Sequence, residues 1–181
     1  MKEKVTDLRV LSGELKGKKI LAIKDNLSHP MGSRERLALF NSLGPELKNA
    51  IILDAFSGTG AVGIEAISRG AAHVTFIEKN HKVAELLRKN LKDLKLEDKT
   101  RVFEAGVETM NFNTKFDFVL ADPPYDKIKK VSPETFEKLA NLARKNFILS
   151  HPSSFDPHVI DAKLLSTKSY ASARISTFTC A

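Results

Sequence analysis

Asp54-Ala55-Phe56-Ser57-Gly58-Thr59-Gly60-Ala61-Val62-Gly63 follows the apolar run Ala50-Ile51-Ile52-Leu53 and leads into Ile64-Glu65-Ala66-Ile67. An apolar run, a turn of small residues and a helically spaced stretch read as strand, loop and helix, the helix near 59–70. Small residues at such a junction let the main chain turn tightly and approach a ligand, with helix N-terminal amides facing it. Downstream the alternation continues. Val74-Thr75-Phe76-Ile77-Glu78 reads as a strand, and 80–95 as a helix with Val83, Leu86, Leu87, Leu91 and Leu94 inward. Arg101–Glu104 and Phe116–Ala121 are strands, 132–145 a helix and Phe147-Ile148-Leu149 a strand. Residues 163–179 read as two strands turning at Tyr170-Ala171-Ser172. Seven strands separated mainly by helices predict an α/β fold, a mostly parallel sheet with helices on both faces. The terminal hairpin adds antiparallel pairing near one edge.

Upstream, residues 8–24 alternate apolar and polar around Gly13 and Gly17, which predicts a β-hairpin with a basic connection carrying Lys16, Lys18 and Lys19. A loop with His29-Pro30 follows. Ser33 reads as the N-cap of a helix through Leu43, stopped by Gly44-Pro45. The 181 residues thus predict one domain, with 1–45 as a hairpin-and-helix extension and 46–181 as the core. A formal net charge of +7 suits a phosphate-rich partner, because cations gain by releasing condensed counterions. Cys180 is the single cysteine, and five histidines lack metal-ligand spacing, so no metal site is expected. The charged start Met1-Lys2-Glu3-Lys4, and the lack of an apolar run approaching about 18 residues, predict a cytoplasmic protein with no membrane span.

Two clusters carry chemistry. Gly58-x-Gly60-x-x-Gly63 satisfies the dinucleotide fingerprint, so an NAD-binding domain competes. Asp54, four residues before the first glycine, instead suits the cationic amino-acid end of S-adenosylmethionine better than a pyrophosphate. Glu78, ending the next strand, can accept both hydroxyl hydrogens of a ribose. The second cluster is Asp122-Pro123-Pro124-Tyr125, at the carboxyl end of the strand Asp117–Ala121. The Asp122 carboxylate and the first proline carbonyl can accept the two hydrogens of an exocyclic amine. An aryl amine is a poor nucleophile because its lone pair is delocalised. Holding both hydrogens out of plane aims that lone pair at a methyl donor, a contribution of orientation and charge placement. Tyr125 is placed to stack on a base that has left its own stack.

These motifs resemble a known family. Asp54-x-Phe56-x-Gly58-Thr59-Gly60, Gly63-Ile64-Glu65-Ala66, Glu78 and Asp122-Pro123-Pro124-Tyr125 are similar to the bacterial 16S rRNA guanine-N2 methyltransferases of the small-subunit methyltransferase D type. Arg9–Gly13, Gly17–Ile20, Pro30, Arg34, Arg36 and Leu39-Phe40-Asn41 extend the similarity from about residue 8 to the end. The resemblance implies a Rossmann-like class I methyltransferase using S-adenosyl-L-methionine, with 16S rRNA or a small-subunit assembly intermediate as partner; a monomer is expected, although no residue pattern decides the oligomeric state. It places Asp54, Phe56, Ser57, Gly58, Gly60, Glu78, Lys79, Gly106 and Asp122 around the cofactor and Asp122 to Tyr125 at the guanine N2. Lys16, Lys18, Lys19, Arg34, Arg36, Lys127, Lys129 and Lys130 are expected to form one basic surface that meets RNA, with closure over the cofactor as the other role open to Arg34 and Arg36. Ala105 departs from an Asp or Asn that would accept from the cofactor's adenine, so that contact is either supplied from elsewhere, with Glu104 as the candidate, or lost. His29, Met31-Gly32 and Ala171 also depart. DNA adenine-N6 or cytosine-N4 methylation, protein glutamine methylation, and RNA binding by a degenerate site are the alternatives.

Overall fold

The computed structural model describes residues 5–23, 31–170 and 173–180. The N-terminal strands β1 (Val5–Arg9) and β2 (Lys19–Ile23) pair antiparallel, Arg9 opposite Lys19, as the alternation predicts. Then come α1 (Ser33–Leu43), β3 (Ile51–Asp54), α2 (Ala61–Ser68), β4 (His73–Ile77), α3 (His81–Asp93), β5 (Thr100–Phe103) and β6 (Phe116–Ala121). The chain ends with α4 (Pro133–Asn141), β7 (Ala143–His151), β8 (Ala162–Ser169) and β9 (Arg174–Cys180).

The main sheet has the order β5-β4-β3-β6-β7-β9-β8, parallel through β7 and antiparallel at β7–β9 and β9–β8. Alternate residues of each central strand feed opposite faces. Phe118 and Leu120 of β6 join α1, α2, α3 and the hairpin on one side, through Phe40, Ile64, Leu87 and Ile20. Val119 and Ala121 join Phe136 and Leu139 of α4 on the other. Helices therefore cover both faces, unevenly divided.

Three local expectations change. The helix near 132–145 ends at Asn141, and β7 already begins at Ala143. Ala143 pairs with Phe116 and Asn146 with Phe118, so a bulge in the ladder draws residues with helical spacing into the strand. Ser33 is the first helical residue and not the cap, which is Gly32 with no side-chain bond. On α3, Ala84, Leu87, Asn90 and Leu91 are buried, while Val83, Leu86 and Leu94 are half-buried. The His29-Pro30 loop and the Ala171-Ser172 part of the last turn lie outside the described residues.

The hairpin is fastened at both ends. Asn90 of α3 accepts the Leu21 N–H at 2.9 Å and donates to the Leu21 carbonyl at 2.9 Å and the Thr59 carbonyl at 3.0 Å. At the other end, Ser68 closes α2 and accepts the N–H groups of Glu14 and Leu15. The basic connection therefore sits at the C-terminus of α2, while Ala22 reaches the helix's opposite end.

Candidate active site

Chain order reverses between β3 and β6, and crevices outside the carboxyl ends of strands at such points are where open α/β sheets bind ligands. Asp54, the last residue of β3, is 1% exposed, and its Oδ2 accepts the Gly63 N–H at 3.0 Å. Burial first, and then the nearby Asp122 and Glu78 carboxylates, push its pKa up to about 7. Gly58 and Gly60 have φ of 52° and 86°, which lets the loop turn inward between β3 and α2. Glu78 accepts the Gly58 N–H at 3.0 Å through Oε2 and the Asn80 N–H at 2.7 Å through Oε1. Each oxygen keeps a second acceptor site. The Ser57 hydroxyl is spent on the fold, between the Asp54 carbonyl at 2.7 Å and the Ile77 N–H at 2.9 Å.

Asp122 follows β6 on the same rim. Its Oδ2 accepts the Met31 N–H at 3.1 Å, while Oδ1 is buried with no hydrogen-bond partner among the described residues. Burial raises the pKa to about 6, against the lowering effects of the Ser150 hydroxyl, the Met31 N–H and the Arg36 charge. The Tyr125 hydroxyl shares a 2.7 Å hydrogen bond with Ser150 of β7, which fixes one end of the ring. Burial, and then the negative charge of Asp122, push the phenol up to about 12. The Pro124 carbonyl accepts the Lys127 N–H at 2.9 Å, so the Pro123 carbonyl is the main-chain acceptor next to Asp122.

One cavity opens along this rim, although Asp54, Gly60, Pro123 and Tyr125 do not line it. Phe56, Ser57, Gly58, Glu78, Lys79, Asp122, Pro124 and Lys127 line it, together with Ala22, Asn80, Val83, Val107 and Glu108, to which sequence reasoning assigned no site role, and Met31, marked only as a departure from the family pattern. Met31 and Ala22 come from the extension, and no spacing rule links them to residues so far along the chain. Gly106 is absent from the wall, which Ala105 and Val107 form on either side of it. Glu104 does not replace a carboxylate at 105. Its oxygens pair with His81 at 2.7 Å and Arg88 at 3.0 Å on the outer face of α3.

The expected basic surface is divided. Lys16, Lys18, Lys19 and Arg34 are exposed, as are Lys129 and Lys130. The hairpin lysines lie at the C-terminal end of α2, about 12 Å of helix from the rim. Lys19 pairs with Asp7 at 2.8 Å. Arg36 leaves the set altogether. It is 1% exposed, donates to the Arg9 carbonyl at 2.8 Å and stands 3.9 Å from the fully buried Glu65. An arginine in a polar helix stretch reads as solvent-facing, and only the tertiary contact with Glu65 turns it inward.

Carboxylates at the ends of β3, β4 and β6, and an antiparallel β9 set inside the edge strand, place this chain in the class I methyltransferase fold. A solved Escherichia coli protein, yhhF, is 27% identical with a TM-score of 0.83, covering 97% of this chain and 98% of that one. Magnesium protoporphyrin IX methyltransferase from Synechocystis, solved with bound SAM, shares the fold at a TM-score of 0.65 and 16% identity, covering 82% of this chain and 79% of that one. Ribosomal RNA small subunit methyltransferase D of Escherichia coli is 37% identical over 122 residues, covering 65% of this chain and 60% of that protein. The chain belongs to the family described as conserved hypothetical protein 95, whose model matches residues 8–174.

Proposed function

We propose that this chain is an S-adenosylmethionine-dependent methyltransferase acting on the exocyclic N2 amine of a guanine in 16S rRNA. The observation that carries this reading is Asp122 Oδ1, a buried acceptor with no partner among the described residues, at the same strand-end rim as Asp54 and Glu78. A buried oxygen left without a donor is costly unless a ligand supplies one. The cavity also fits the cofactor by charge, since Glu78 and Asp122 line it, Asp54 is buried just behind its Ala55 wall, and the loop beside Gly58 has open space. When bound, the cofactor supplies an electrophilic methyl group on a sulfonium.

The protein's own part is positional. Asp54 and Glu78 hold a cation and a pair of hydroxyls. Asp122, with Oδ2 already committed to Met31, directs Oδ1 at one amine hydrogen, and the Pro123 carbonyl accepts the other. Both acceptors favour a pyramidal nitrogen, so their effect is largest as the new bond forms. Tyr125, tethered through Ser150, offers a ring face to a base displaced from its stack.

The rRNA substrate is supported by the name of the Escherichia coli relative, and guanine N2 by the motif resemblance. Labelled methyl transfer to small-subunit rRNA or an assembly intermediate, from cells lacking this chain, tests both. Nucleoside digestion should yield N2-methylguanosine. N6-methyladenine from DNA, or methylglutamine from a protein, would replace the substrate and leave the cofactor reading standing.

A further inference from the structure

The acidic groups that line the cavity or stand behind its rim follow the order of the sheet. Asp122 stands beyond β6, Asp54 at the end of β3, Glu78 just past β4, and Glu108 in the loop after β5. Three strand spacings separate the β6 end from the β5 end, about 14 Å. If Asp122 marks the transfer point and Glu78 the ribose, the cofactor's base falls at the β5 end. The walls there are Val83, Ala105 and Val107, apolar and suited to the faces of a flat ring. Glu108 is the carboxylate on that wall.

Its setting is specific. A short 3-10 turn, Val107–Thr109, fixes its backbone, with the Thr109 hydroxyl donating to the Gly106 carbonyl at 2.8 Å. The carboxylate folds back over Gly106, where an added Cβ would lie 2.5 Å from Glu108 Oε1 and 2.7 Å from Cδ. Gly106 has φ −75° and ψ 142°, which any residue adopts, so the missing side chain provides room and not backbone freedom. The Glu108 carboxylate makes no hydrogen bond or ion pair with any described residue, although its carbonyl accepts from Lys138 at 3.3 Å. Glu104, the other acid in the segment after β5, is committed to His81 and Arg88.

We infer that Glu108 accepts a hydrogen bond from the exocyclic amine of the cofactor's adenine, and that Gly106 is small so that it can. The inference rests on the cofactor reading given above. An ionised carboxylate is acceptor-only, so it rewards the 6-amino group and disfavours a carbonyl at that position.

Calorimetry with S-adenosylhomocysteine, and with its analogue carrying hydrogen in place of the 6-amino group, tests this on wild type, Glu108→Ala and Gly106→Ala. Wild type should bind the amino ligand about tenfold more tightly than the analogue. Both variants should lose about tenfold for the amino ligand and stay within about twofold for the analogue. Gly106→Ala retains the carboxylate and only displaces it, so agreement between the variants ties the loss to position. Equal losses for both ligands, or none, overturn the role of Glu108. Folded wild type that binds neither ligand overturns the cofactor reading and this inference with it.

Discussion

The Met31 N–H donates to Asp122 Oδ2 at 3.1 Å across 91 residues of sequence. The buried Arg36 guanidinium reaches the Met31 carbonyl at 3.4 Å and the Arg9 carbonyl at 2.8 Å. One residue of α1 therefore connects the hairpin to the main chain that pins the proposed transfer carboxylate. The N-terminal extension is part of the site's framework.

Arg36→Ala should destabilise the protein by about 3 kcal/mol or more, because it strips Glu65 of one buried partner and empties a packed position. Denaturant midpoints measure the loss. An Arg36→Ala protein of normal stability with weaker, less salt-dependent RNA binding would instead mark Arg36 as a phosphate contact.

Asp122→Ala should lower turnover roughly 100-fold or more while changing affinity for S-adenosylhomocysteine far less, since its free oxygen acts mainly on the amine during transfer. Single-turnover rates and calorimetry separate the two effects. Near-normal turnover would remove Asp122 from the chemistry.

Burial raises Asp54 to about 7 and Asp122 to about 6, from an ordinary value of 3.8. Between these values the native chain holds protons that the unfolded chain has released, so stability without ligand falls as pH rises from about 4 to about 7. Asp54→Asn keeps an acceptor for the Gly63 N–H and removes the larger share of this fall. Its unfolding midpoint should exceed that of wild type near pH 8 and match it near pH 4. A cationic ligand favours the ionised carboxylates, so cofactor affinity should rise through pH 6 to 7 with proton release. Calorimetry in buffers of different ionisation enthalpy reads that release, and pH-independent affinity would contradict it.

Lys127 lines the cavity and Lys129 and Lys130 follow it, whereas Lys16 and Lys18 lie at the other end of α2. Removing each rim lysine that meets a phosphate should lower the log–log salt slope of rRNA binding by about 0.7 to 0.9. Removing Lys16 and Lys18 should leave the slope near its wild-type value. The opposite pattern would move the RNA to the hairpin end.

The seven strands, their parallel core and the loop from Asp54 to Gly63 were legible because their signals are local. Apolar runs, helical spacing and small residues at one strand end need no knowledge of distant contacts. Asp122-Pro123-Pro124-Tyr125 was legible for the same reason, as four consecutive residues at a strand end. The overlong helix at 132–145 shows where local signals stop: pairing with β6 decided the state of Ala143–Asn146.

The sequence by itself determined the class of fold, the rim on which the acidic groups gather, and the residues at each strand end. Strand alternation and turn chemistry act over a few residues, and those are enough to place Asp54, Glu78 and Asp122 on one edge of the sheet. Tertiary structure alone decided which groups are free to bind. It took Arg36 inward to Glu65, gave Glu104 to His81 and Arg88, turned Glu108 into the cavity, and set Met31 against Asp122. Each outcome depends on a partner remote in sequence or on the space left by packing, and neither burial nor a free lone pair is a property of a residue's own neighbours along the chain.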